Sequence, residues 1–207
     1  MSYQWNWGVF LQPSASGDDT YLGWMLAGFK MTIALSLTAW VLALLLGALI
    51  GVLRTVPNKA LAGFATGYVE LFRNVPLLVQ LFIWYFVLPE LLPESIGNAY
   101  KQSNPMLQQF LASMVCLALF TSARVAEQVR SGINSLPRGQ KNAGLALGFT
   151  LPQTYRFVML PMAFRLVVPP LTSEFLNIFK NSAVCSTIGL MELAAQGRQL
   201  VDYTAQP

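Results

Sequence analysis

The sequence predicts an all-α protein, a polytopic membrane bundle of about four spanning helices with a short helix held outside the bilayer. Of its 207 residues, 55% are apolar and only 11% are charged, against roughly 25% charged in a soluble domain. The apolar residues fall into long uncharged runs, not the short alternations of strands. The basic residues gather in the segments on one side of those runs.

Composition also narrows function. The net charge is +4, but the basic residues are scattered, with no Lys/Arg run, so nucleic acid is not an expected partner. There is no histidine, which removes the commonest general base and metal ligand. Cys116 and Cys185 lie in apolar surroundings without metal-ligand spacing and read as packing residues. No cofactor, metal or catalytic set is expected, and an enzyme is the least favoured class.

Residues 1–20 carry Trp5, Trp7, Asp18 and Asp19 and suit a periplasmic lead-in at the membrane–water boundary, where Trp is favoured. They lack the basic start and apolar run of a secretory signal, so the first span is expected to act as the insertion signal. A transmembrane domain is expected over 21–207. Met31 to Leu53 is uncharged for 23 residues, enough to cross about 30 Å of hydrocarbon. Lys30 can snorkel at its outer end, and Gly47 with Gly51 allows another helix to approach closely.

Arg54 to Lys59 is a basic turn. Asn74 to Pro89 is uncharged for 16 residues, and the second span is expected to begin near Gly67. Glu70 and Arg73 would then share a face near its inner end and can pair, while Pro76 would kink the helix. The segment 93–104 reads as a polar loop. Asn104-Pro105 is a capped helix start, and Gln102 to Ala123, uncharged for 22 residues, gives the third span. Arg124, Glu127 and Arg130 form an alternating ladder at its inner end.

Leu136 to Pro152 is the segment around which the chain is organised. Pro137 suits a first helical turn, Gly148 suits a left-handed stop, and Thr150 with Gln153 reads as a capping box opening the next helix. The helix between is too short to cross a membrane and is expected to dock into another protein from the cytoplasm. The fourth apolar segment, about 154–180, holds Arg156, Arg165, Glu174, Lys180 and three prolines. A charge at the bilayer centre costs about 2.5–3.5 kcal/mol on insertion scales, so this helix should line a polar interior rather than face lipid. Glu174, Asn177 and Asn181 fall on one face, the candidate translocation path. Ala183 to Ala195 is too short to span and reads as a boundary helix.

Arg54, Lys59, Arg130, Arg138, Lys141 and Arg156 fall on one side of the spans, and most acidic residues fall on the other. Positive-inside counting places the N-terminus outside and the short helix in the cytoplasm.

Gly139-Gln140-Lys141-Asn142-Ala143-Gly144-Leu145-Ala146-Leu147-Gly148, followed by Phe157 to Ala163, resembles the "EAA" loop of the integral membrane subunits of bacterial ABC importers. Glu70 to Gln80 and Pro169 to Phe175 resemble the signature of their polar amino-acid family. Trp5 to Gly8 and Thr121 to Arg130 are most similar to its glutamate/aspartate members, and the likeness runs from Ser2 to Gln206.

The resemblance implies a non-catalytic permease in the bacterial inner membrane, importing polar, acidic amino acids. Its implied partners are a dimer of ATP-binding subunits, a second permease subunit that is a paralogue, and a periplasmic amino-acid-binding protein. Coupling to the ATPase would run through the loop at about 134–152, on Arg138, Gly139, Gln140, Lys141, Asn142, Ala143, Leu147 and Gly148. An acidic substrate needs cationic or N–H partners, for which Arg73, Arg165, Lys180, Asn177 and Asn181 are candidates; Glu174 would repel a dicarboxylate unless paired or protonated. There is no phosphate-binding Gly-x-x-x-x-Gly-Lys-Ser/Thr loop, so ATP is expected to be hydrolysed elsewhere. The family's loop glutamate falls at Asn142 and its second alanine at Gly144. Relatives continue into another spanning helix, and this chain is expected to lack it. The alternative is an ATP-independent channel or ion-coupled carrier, which predicts flux without ATP; such carriers often carry inverted repeats, and none is visible here. A membrane-anchored assembly factor is a third class.

Overall fold

A computed structural model describes residues 6–17 and 19–204; Trp5 and Asp18 of the expected lead-in lie outside the described residues. Trp7–Leu11 forms a short 3-10 turn. Helix α1 follows over Tyr21–Leu53 and begins well before the uncharged run, because Thr20 caps it: its Oγ1 accepts the Gly23 N–H at 3.2 Å. Lys30 sits inside this helix at an exposed position.

The long partner of α1 is α6, Pro105–Asn134, opened as expected by Asn104, whose Oδ1 accepts the Met106 N–H at 2.8 Å. Their seam depends on Gly47 and Gly51. A Cβ on Gly47 would lie 2.6 Å from the Ser122 carbonyl oxygen, and one on Gly51 would lie 2.7 Å from that of Ala126. The backbones therefore touch, as a small-xxx-small pair allows. Leu35, Ala39, Cys116 and Leu117 are buried along this seam, and both cysteines are free.

The second span differs from the expectation. Helix α2 runs over Lys59–Asn74 and stops at Val75, whose extended backbone (φ −89°, ψ 127°) is the conformation that a following proline imposes. The chain then turns through 101° into α3 (Leu77–Phe82), a π-helical turn (Ile83–Val87) and α4 (Leu88–Leu91). Pro76 thus breaks the ladder rather than merely kinking it. Gln80, only 4% exposed, repairs the break: its Nε2 donates to the carbonyls of Phe72 at 2.9 Å and Val75 at 2.8 Å. The expected polar loop at 93–104 is mostly helix, α5 over Glu94–Lys101. Its last turn is fixed by Lys101 Nζ to Glu90 at 2.6 Å and by the Tyr100 hydroxyl donating to the Gln108 carbonyl at 2.8 Å.

Helix α7 spans Arg138–Ala146, with Pro137 one position earlier than expected, at the cap. Helix α8 (Leu151–Thr154), a π-helical turn (Tyr155–Met159) and α9 (Leu160–Ser182) then follow as consecutive helical segments. The expected capping box is present: Gln153 Oε1 accepts the Thr150 N–H at 2.8 Å. Instead of one boundary helix, a 3-10 segment (Ala183–Ile188) leads to α10 over Leu193–Thr204. The buried Glu192 carboxylate accepts the Ala194 and Ala195 N–H groups at 3.0 and 2.7 Å, capping α10 against α1. Trp24 packs edge-on to Tyr203 there.

Among the described residues there is no strand, only an isolated bridge between Pro13 and Thr20. Helices α1 and α6 are long and apolar enough to cross a membrane, with mean hydropathy 2.5 and 1.5, and the bent α2–α4 pair makes up to three. Helix α9, counted as a fourth crossing from sequence, does not qualify by apolarity; its charged residues and prolines are the reason.

Candidate functional site

The short segment at 134–152 lies between two long helices, α6 and α9. Gly148 has φ +82°, the left-handed conformation that stops a helix. This turn leaves Leu147 77% exposed, beside exposed Leu145 and Phe149. Gly139, Asn142, Ala143 and Gly148 are also exposed, while Gln140 and Lys141 are half-buried. Arg138 is the first residue of α7; its side chain lies outside the described residues. Lys141 and Asn142 border a cleft of about 530 Å³ shared with Thr55, Asn134 and Tyr155.

Helix α7 is tied to the bundle on its inner face. Gly144 is buried against Thr154, where a Cβ would lie 2.7 Å from Cγ2. The glycine that departs from the family's loop alanine therefore stands where this packing leaves no room for a methyl. One residue on, the Tyr155 hydroxyl donates to the Thr55 carbonyl at 2.8 Å, joining the segment after α7 to the end of α1.

A charge cluster sits next to that joint. Glu127 on α6 accepts from Arg54 at the end of α1, lies 3.3 Å from Arg73 on α2, and accepts from Arg130 at 3.2 Å. The Arg54 side chain is only 7% exposed, whereas those of Arg73 and Arg130 are 48% and 39% exposed. The ladder read from sequence is thus three-dimensional: Arg73 pairs across to Glu127 rather than with Glu70, because α2 packs on α6. Arg124 instead lies over the Phe120 ring, 4.7 Å from its centroid.

Along α9, Glu174 is 8% exposed, and Asn177 and Asn181 are half-buried on the same side. Arg165 and Lys180 are exposed; nine residues from Glu174, Arg165 stands on the opposite face. The structure therefore brings Glu174, Asn177 and Asn181 onto one side, with exposed Lys180 one turn after Asn177, and leaves Arg73 and Arg165 apart from them. Sequence reading missed the roles of Gln80, Tyr155 and Thr55. For Gln80 the signal was there, a polar residue four places after a proline in an uncharged run.

Residues 43–207 match the family model described as the binding-protein-dependent transport system inner membrane component. The chain belongs to this family. It is 62% identical to the glutamate/aspartate import permease protein GltJ of Escherichia coli (strain K12), over 99% of this chain and 84% of that one. It is 31% identical to the glutamate/aspartate import permease protein GltK of Escherichia coli O6:H1 (strain CFT073), over 92% of this chain and 80% of that one. A crystal structure of an amino acid ABC transporter with histidines superposes with a TM-score of 0.74 at 31% identity, covering 89% of this chain and 81% of that one. As a member of the inner membrane component family, the chain is a multi-pass, non-catalytic permease subunit of an ABC importer in the inner membrane. Such a permease works with separate ATP-binding subunits and a second permease subunit.

Proposed function

We propose that this permease imports glutamate and aspartate, with its N-terminus periplasmic and α7 in the cytoplasm. A periplasmic amino-acid-binding protein delivers the substrate, and a paralogous permease completes the pore. The 134–152 loop is the coupling element: Gly139, Gln140, Lys141, Asn142, Ala143, Leu147 and Gly148, with Arg138 at the helix start, enter a groove of the ATPase. Nucleotide-driven closure of the ATPases displaces α7 and switches access to the path. Glu174, Asn177 and Asn181 line that path, with Lys180, one turn after Asn177, as the cation available at its exposed edge; Arg73 and Arg165 stand away from it.

One observation carries the reading: a capped helix too short to span, ended by left-handed Gly148, displays exposed Leu147 between two long helices. The substrate assignment is supported by the 62% identity to the glutamate/aspartate import permease. The test is reconstitution of the complex with its ATPase, second permease and binding protein in liposomes, following labelled L-glutamate. Uptake requires ATP, and Leu147→Asp abolishes ATPase association. Uptake that proceeds without ATP, or association that survives the change, rejects the coupling role.

A further inference from the structure

Two cavities meet at the α7 end of the bundle. One is the cleft beside Lys141 and Asn142, which also carries Asn134 and Thr55 on its walls. The other is a groove of about 530 Å³ between α1, α6 and α9, walled by apolar side chains, among them Leu45, Ala48, Val129, Leu160 and Phe164. Ile133 lines both, and Val52 in the groove stands one helical turn before Thr55 in the cleft. The apolar groove therefore opens into the polar cleft. Its length selects an occupant. The groove runs from Leu44 to Val52 on α1 and from Leu160 to Leu171 on α9. At about 1.5 Å per residue it is about 12–16 Å long, half of the roughly 30 Å of hydrocarbon in a bilayer. A crossing helix needs the whole thickness, whereas an acyl chain needs one leaflet. Exposed Leu45, Leu49 and Phe164 leave the groove open to the side, the direction from which a lipid enters.

The cleft has the chemistry of the other end of a lipid. Lys141 is half-buried and belongs to no ion pair among the described residues. The side-chain amides of Asn134 and Asn142 are likewise unpaired among them and carry N–H donors suited to phosphate oxygens. Lys141 stands three residues before Gly144, which packs on Thr154, so it lies on the side of α7 turned toward the bundle. The Glu127 cluster at this end sets three arginines against one carboxylate, and the rim is net positive. We propose that cleft and groove together bind one anionic phospholipid, with its phosphate on Lys141 and the Asn134 and Asn142 amides, and one acyl chain between α1, α6 and α9. Basic pockets between spanning helices suit anionic headgroups. A zwitterionic lipid fits less well, because its own ammonium competes with Lys141 for the phosphate. Only the choice of leaflet, the inner one, rests on the importer reading above.

The test uses the complete complex, delipidated in mild detergent, then titrated with phosphatidylglycerol or phosphatidylethanolamine and read by native mass spectrometry. The wild type retains phosphatidylglycerol in preference to phosphatidylethanolamine. Lys141→Gln weakens phosphatidylglycerol binding about fivefold, the worth of one cation beside an anionic lipid, and leaves phosphatidylethanolamine unchanged. Ala48→Trp fills the groove from an exposed position and removes the bound phosphatidylglycerol. The site is rejected by equal retention of the two lipids in the wild type, by unchanged binding in Lys141→Gln or Ala48→Trp, or by inorganic phosphate displacing phosphatidylglycerol as well as a short-chain phosphatidylglycerol does. Should Ala48→Trp prevent assembly, Ala48→Cys carrying a photo-crosslinker decides, since Cys116 and Cys185 are both buried. Cross-links to phospholipid support the site; cross-links to a protein chain identify a helix as the occupant and overturn it. All these readings are made without nucleotide, so a complex that lacks ATP-dependent L-glutamate uptake rejects the importer reading and leaves them standing.

Discussion

The Tyr155 hydroxyl donates to the Thr55 carbonyl across one hundred residues of sequence. This bond joins the π-helical turn after α8 to the turn after α1, next to the Arg54–Glu127 pair. Tyr155→Phe keeps the ring and removes the bond, leaving a part-buried carbonyl unpaired. A loss of about 1 kcal/mol is expected, seen as a lower unfolding midpoint of the assembled complex. Because the bond lies between α7 and the bundle, the number of amino acids imported per ATP should also fall, while basal ATP hydrolysis remains.

Glu127 and Arg73 should respond differently to removal. Glu127→Gln strips the compensating charge from Arg54, which is almost fully buried; about 3 kcal/mol of stability should be lost. Arg73→Gln removes a partner that is half exposed, so about 0–1 kcal/mol is expected. Thermal or denaturant unfolding of the two purified variants checks the contrast. Equal losses would show that Arg54 is not the member that makes the cluster costly to break.

Gly144→Ala tests the seat of α7. The added methyl meets Thr154 Cγ2, and the overpacking should cost about 1–3 kcal/mol. Thr154→Ala made in the same chain removes that Cγ2 and should recover some of the loss. A double-variant cycle on stability, with pull-down of the ATPase as second readout, measures the recovery.

Gln80→Leu tests the bend. It keeps the bulk but withdraws both amide bonds from the Phe72 and Val75 carbonyls. A loss of about 1–3 kcal/mol is expected from the orphaned acceptors, with protease sensitivity rising at the α2–α3 junction rather than across the bundle. Gln80→Glu, which keeps the acceptors but not the donors, should not rescue it.

Local signals were legible in the sequence, and contacts between distant residues were not. Asn104-Pro105, Gly148 and the Thr150–Gln153 box act within one helical turn, so residue type and spacing suffice to read them. Gly47 and Gly51 were readable as a contact face because their spacing repeats along one stripe. The pairing of Arg73 with Glu127 and of Tyr155 with Thr55 depends on which helices meet, and no short pattern encodes it. Helix α5 escaped because it is short and the contacts that fix its last turn, Lys101 to Glu90 and Tyr100 to Gln108, reach residues outside it. The size of the turn at Pro76 was hidden for a related reason: a proline signals a break, but its angle is set by the packing around Gln80. For the path, the shared face of Glu174, Asn177 and Asn181 was visible as helical spacing, while the absence of an ion pair to Glu174 among the described residues required three dimensions.

One carboxylate serves the closing turns of α1, α2 and α6. Buried Arg54 thereby rivets α1 to α6 as one plate at Glu127, while half-exposed Arg73 tethers α2 to it only weakly. Tyr155 bears on the rim of that plate, at Thr55. A tilt imparted there would be shared by α1 and α6, and would reach α2 through that weaker tether.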